Sequence, residues 1–253
     1  IDAGHTVVLD VDATVNNLVV ATGGDLDVGA SPGGLTLSWD ESGGDLSNAS
    51  IDLAGDLTIF VDNAEDFSIG AVDGAFGLTL NGSGLATLAG SLGATTRLAS
   101  FASDAGGSVL LSTGSVNQLR TTGDIVFDDA LVIQGNSIIN TNGGSVTFNS
   151  TLDRGTGGSQ LGLTSSTGLF FNGQVGGVVP ISTLQVGGPV TVNTDVVAVA
   201  NLHRYGGSVT IGSDVTFSGS IFNFESAVND DGNDLTGSNV TVNASGTSII
   251  AAA

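Results

Sequence analysis

Gly144-Ser145-Val146-Thr147-Phe148-Asn149 runs from a turn glycine through a polar residue and an apolar–polar–apolar triplet to a turn-forming Asn. Apolar residues alternating with period two, bounded by Gly and Asn, mark a short half-buried strand. The unit recurs in Gly55-Asp56-Leu57-Thr58-Ile59, Gly123-Asp124-Ile125-Val126-Phe127, Gly188-Pro189-Val190-Thr191-Val192 and Gly207-Ser208-Val209-Thr210-Ile211. Shorter copies are Gly77-Leu78-Thr79-Leu80, Gly168-Leu169-Phe170-Phe171 and Asn239-Val240-Thr241-Val242. Aligned on one apolar position, Val15, Leu37, Ile59, Leu80 and Phe101 stand 22, 22, 21 and 21 residues apart. A longer step of 26 leads to Phe127. Phe148, Phe170 and Val192 then follow at 21, 22 and 22, and Ile211 after 19.

A repeat near 22 residues, made of short strands and sharp corners, fits one coil of a parallel β-helix. Equivalent strands of successive coils would pair in parallel about 4.8 Å apart, and each inward side chain would stack on its equivalents. Gly and Asn suit the corners because they tolerate φ > 0. The reading is all-β: one continuous right-handed β-solenoid over residues 1–253, of about 11 coils, the hand following from the preference of parallel crossovers. The 26-residue step and the tract from Phe217 to Asn239 are expected to be loops bulging from single coils. Antiparallel β-sandwiches are the competing architecture. A spacing near 22, the absence of a compositional break and only 3 Pro weigh against them.

Composition narrows function. The chain has 253 residues, 40 Gly, no Cys and no Met, and its 25 acidic residues against 4 basic ones leave a net charge of −21. All 4 basic residues are Arg, so there is no Lys for a Schiff base or a phosphate loop. Such a chain cannot neutralise a run of phosphates, which argues against nucleic-acid binding. Without Cys there is no disulfide framework or thiolate chemistry. No stretch reaches the roughly 18 apolar residues of a membrane helix, so no membrane insertion is expected. Hydrophobic residues at 40% argue against disorder. The chain starts at Ile1 and reads as a processed product or a segment of something longer, and Ile1-Asp2-Ala3-Gly4-His5 has no signal-peptide character.

From about Gly123 to Ser220 the chain resembles the internal repeats of filamentous-haemagglutinin-like and autotransporter-like bacterial adhesins. The residues that carry the likeness are 144–152, 168–177, Pro180-Ile181-Ser182-Thr183-Leu184-Gln185-Val186 and 207–215. The resemblance implies a right-handed parallel β-helix, export to the cell surface and a structural or adhesive role. Neither a two-partner secretion motif nor a C-terminal membrane β-barrel is visible, so it implies passenger material or a stand-alone relative that assembles by itself.

Several constellations were candidates for chemistry. Polygalacturonase-like hydrolases use Asn-Thr-Asp, then Asp-Asp, then two basic motifs. Here Asn193-Thr194-Asp195 and Asp128-Asp129 come in the reverse order and the basic motifs are missing. The expectation for Asp128-Asp129 is a solvated turn. No catalytic or cofactor-binding residue is assigned, and the chain is expected not to be an enzyme. His203-Arg204-Tyr205 reads as a loop between coils or a surface recognition patch. Trp39 reads as packed under a turn, with stacking on a sugar or a neighbouring subunit as the alternative. The acidic tract Asn229-Asp230-Asp231-Gly232-Asn233-Asp234 offers hard oxygen ligands around a glycine turn, so Asp230, Asp231, Asn233 and Asp234 are candidate calcium ligands, with a flexible polar loop as the alternative. Asp25-Leu26-Asp27 should project its charges outward from a strand. Sequons stand at Asn48, Asn81, Asn149, Asn239 and Asn243.

The functional expectation is a non-enzymatic extracellular or cell-surface solenoid: an adhesin stalk, or a filament or coat subunit that forms homopolymers through its ends. The second reading is a β-helix that binds or cleaves polysaccharide. A calcium-dependent adhesion module is the third.

Overall fold

The computed structural model describes residues 1–15, 18–39, 44–61, 64–112, 117–157, 159–229, 240–244 and 248–250. Twenty-eight strands and no helix are found among the described residues. They form sheets of eight, eleven and nine strands, and every strand pair is parallel. Parallel pairing throughout excludes the antiparallel sandwich. The eleven-stranded sheet runs from Ala13–Val15 to Val228–Asn229, so its strands define ten turns of a β-solenoid. Ten steps at the strand spacing give a stack about 48 Å tall.

The eight-stranded sheet starts at Thr6–Leu9 and ends at Leu152–Arg154. The nine-stranded sheet starts later, at Asn117–Thr121, and bridges at Val72–Leu92–Leu119 prepare it. The coils therefore change cross-section midway. Two long strands, Asp45–Leu53 and Val196–Tyr205, each carry a register shift against a neighbour, which lets one strand bend round a corner.

The interior follows from the alternation. In Leu35–Trp39, Leu35, Leu37 and Trp39 are buried while Thr36 and Ser38 are half-buried on the outer face. Over the middle coils the stack becomes aromatic: Phe101, Phe127, Phe148 and Phe171 follow one another with ring centroids 5.2, 5.4 and 5.6 Å apart. Phe127, Phe148 and Phe171 are register partners in successive coils, and spacing close to one strand step is what such pairing imposes on identical side chains.

Three positions of the expected alignment differ, those of Val15, Phe101 and Phe170. Leu37 pairs with Ala13, and Val15 with Trp39. Phe101 pairs with Leu78 and Ile125, while Phe127 pairs with Ser103, so the steps there are 23 and 24 residues and the 26-residue bulge vanishes. Phe148 pairs with Phe171, and Phe170 lies on the outer face. The tract from Phe217 is also not simply a loop: Ile221–Phe224 and Val228–Asn229 are strands within it.

Candidate functional site

Eight Asp carboxylates bind backbone amides one coil away, six of them outside the strands, at corners. The carboxylates of Asp12, Asp56, Asp66, Asp73, Asp124 and Asp153 accept hydrogen bonds from backbone amides of the next coil, at Thr36, Gly77, Leu85, Thr95, Ser145 and Val178. Asp104 and Asp129 reach the other way, to the amides of Gly82 and Gly107. The distances are 2.7–3.0 Å. A solenoid corner leaves amides without a ladder partner, and a short carboxylate one coil away satisfies them. This accounts for Asp dominating over Glu.

A second row ties the coils on the outside. Asn149 donates to Asp128, Asn172 to Asn149 and Asn193 to Asn172, at 2.6, 2.7 and 2.8 Å. Asp128 and Asn193, read earlier beside catalytic motifs, are thus the ends of a structural ladder. Asp129 is buried and caps Gly107, and burial pushes its carboxyl above the usual range. Asp195 accepts from the Gln174 amide at 2.9 Å. The solvated turn expected for Asp128-Asp129 is, at Asp129, a buried cap. The sequon residue Asn149 is committed to this ladder through both ends of its amide.

Residues 203–205 lie in the strand Val196–Tyr205, neither in a loop nor as a patch. His203 and Tyr205 point inward and are fully buried; only Arg204 faces out. Within the core His203 stacks on Phe222, centroids 4.4 Å apart, and Tyr205 on Phe224 at 5.1 Å. Burial brings the His203 pKa down to about 4 and raises that of Tyr205. Arg204 pairs with Glu225, Nε to Oε1 at 2.7 Å. Arg97, Arg120 and Arg154 instead donate to backbone carbonyls, those of Thr121, Ala94 and Gly157.

Trp39 is buried, stacks on Phe67 at 6.1 Å and lies directly under Gly44, where a Cβ would come within 2.2 Å of the indole. The packed reading of Trp39 therefore holds and the ring is not available to a sugar. Asp230, Asp231, Asn233 and Asp234 lie outside the described residues. Among the described residues no group of three or more His, Cys, Asp or Glu is placed to hold a metal ion. Asp25 and Asp27 do face outward.

Among the described residues, the surfaces open to interaction include two. At the first coil, Val7 pairs with the inward-facing Leu26, yet Val7 is 45% exposed and Leu26 only 2%. Val8, Val11 and Val19 are exposed too. The second surface is a groove of about 370 Å³ on the outer face of the nine-stranded sheet, beside Arg204 and Glu225. No family model, curated protein or solved structure matches the chain.

Proposed function

We propose that the chain is a non-enzymatic structural and adhesive β-solenoid of the cell exterior, serving as a surface stalk or as the subunit of a filament. The observation that carries this reading is the row of side-chain ties between coils, from Asn149 to Asp128, Asn172 to Asn149 and Asn193 to Asn172. Such ties reinforce a stack whose coils otherwise meet through parallel strand pairing. Copies that add coil upon coil would make a heterologous contact that does not close, and so build a fibre. Two features support a load-bearing role. Asp and Asn side chains tie successive coils on the outside, and the residues that resembled catalytic motifs serve those ties.

Negative-stain electron microscopy and sedimentation of the purified chain test the proposal. Filaments or end-to-end oligomers of uniform width are expected. Monodisperse monomers at micromolar concentration would remove the self-assembly reading. Replacing Val7 by Lys should shorten the assemblies without unfolding the coil, because the side chain is already half-exposed.

A further inference from the structure

We infer that Asn142 is a site of self-modification: the folded chain converts this amide to an acid by intramolecular deamidation, with water as the co-reactant, whether or not copies assemble. The sequence holds three Asn-Gly pairs, Asn81-Gly82, Asn142-Gly143 and Asn172-Gly173. In such a pair the backbone nitrogen of the glycine can attack Cγ of the asparagine, because no Cβ on the second residue obstructs the approach. A bond forms between that nitrogen and Cγ, the nitrogen's proton passes to solvent, and the side-chain nitrogen leaves as ammonia. The product is a succinimide. Water then opens the ring at either carbonyl, which gives Asp or its β-linked isomer. In total an amide and a water become an acid and ammonia, and nothing is oxidised.

The attacking nitrogen is one whose N–H the fold can occupy. An amide that donates a hydrogen bond must give it up before it attacks, and inside a packed coil that requires local opening. Two of the three pairs are held in this way. The Gly82 amide donates to the Asp104 carboxylate at 3.0 Å, and Gly82 closes the strand Gly77–Gly82. The Gly173 amide donates to the Phe148 carbonyl at 3.3 Å. The Asn172 side chain is also tied at both ends, its Nδ2 donating to Asn149 at 2.7 Å and its Oδ1 accepting from Asn193 at 2.8 Å. A rotation that carries Cγ onto the Gly173 nitrogen would break both bonds.

Asn142-Gly143 is built differently. It lies at the corner between the strands Ser137–Thr141 and Ser145–Phe148, and both residues are exposed. The corner is held by its flanks. The Asn142 amide donates to the Thr121 carbonyl, and the Gly144 amide to the Thr141 hydroxyl. Among the described residues the Gly143 amide and the Asn142 side chain have no hydrogen-bond partner. The reacting atoms are therefore free on a corner that is itself fixed. Gly143 has a φ of 132°, a conformation that glycine adopts readily and residues with a Cβ resist. The turn that demands glycine here thus also keeps the pair reactive. Each event adds one negative charge to a chain that already carries −21.

Incubation of the folded protein and of the urea-unfolded chain at neutral pH, followed by trypsin digestion and tandem mass spectrometry, tests the inference. Cleavage after Arg97, Arg120, Arg154 and Arg204 puts Asn81, Asn142 and Asn172 in three separate peptides. The unfolded chain gives each pair its own reference rate. On folding, Asn142 should keep that rate to within about tenfold, while Asn81 and Asn172 should each slow by more than about tenfold. Asn142→Gln, an exposed change, should leave the melting temperature unaltered and remove the first acidic species that isoelectric focusing resolves in aged protein, because the longer side chain must close a larger ring. The inference is overturned if folding slows Asn142 by more than tenfold, if it slows Asn81 or Asn172 by less, or if aged Asn142→Gln protein gains the acidic species at the unaltered rate.

Discussion

Nε2 of His203 lies 2.9 Å from the carbonyl oxygen of Ser218, in a strand that packs His203 inside the coil. A carbonyl only accepts, so Nε2 carries the proton and Nδ1 accepts from the Tyr205 hydroxyl at 3.3 Å. The folded protein therefore holds a neutral imidazole, and burial brings its pKa down to about 4 from 6.5. Above pH 6.5 neither state binds this proton, and stability is complete. As pH falls from 6.5 towards 4 the unfolded chain takes up a proton that the folded one refuses, and stability declines. Two and a half pKa steps correspond to about 3 kcal/mol. Urea titrations between pH 7 and 5 should show the midpoint falling. The difference between the protein and His203→Gln should narrow by about 1.4 kcal/mol per pH step below 6.5. A constant difference across that range would mean that His203 is charged in the folded state.

On the outer face of the eight-stranded sheet, Asp27 pairs with Asp52 and Asp52 with Asp73. Like charges directly opposite one another across strands repel. Asp52→Asn should stabilise the protein by about 0.5 kcal/mol at low ionic strength. The gain should shrink in salt, where the Debye length falls below 10 Å. Thermal melts at two salt concentrations check both statements.

Phe127 has Phe148 stacked on one side and Phe101 tilted against it on the other. It is fully buried and its neighbours are held by the ladder, so the site cannot collapse around a cavity. Phe127→Ala should cost about 4 kcal/mol in a chemical denaturation. Phe170→Ala, one residue away from the stacked Phe171 but on the outer face, should cost less than half of that.

At Gly173 a Cβ would stand 2.0 Å from the carbonyl oxygen of Ser150, so Gly173→Ala must shift backbone against backbone. A loss of about 3 kcal/mol is expected from overpacking of this kind. Gly162→Ala, with nothing nearer than 3.8 Å, should be neutral or stabilising. Comparing the two melting temperatures separates a glycine required by close backbone approach from one where a Cβ meets only ordinary van der Waals contacts.

The period and the all-β class were legible because inward residues repeat, as Leu37, Ile59 and Leu80 do. Register failed where alternation was ambiguous. Leu169-Phe170-Phe171 has three apolar residues in a row, and parity alone cannot choose the inward Phe. The signal that would have chosen lies one position later. Asn149, Asn172 and Asn193 follow the inward residues Phe148, Phe171 and Val192, and aligning the chain on that amide gives the observed pairing. Asp104 and Asp128 do the same for Ser103 and Phe127. His203 was misread for another reason. His203 and Tyr205 keep the phase of the buried Val197 and Val199, but the exposed Ala200 and Asn201 between them break the apolar pattern and hide the continuity of the strand. The open corner at Asn142 was not legible either, because an Asn-Gly pair with a tied amide and one with a free amide are spelled alike.

Among the described residues each strand pairs only with its equivalents in the coils before and after it, so the ladder bonds point along the axis of the stack. Tension applied to the two termini therefore peels a terminal coil while the rest stay seated. A coil of about 22 residues pays out about 75 Å of chain, at roughly 3.4 Å per residue. Extension under pull is therefore expected to proceed coil by coil, in steps of about that length.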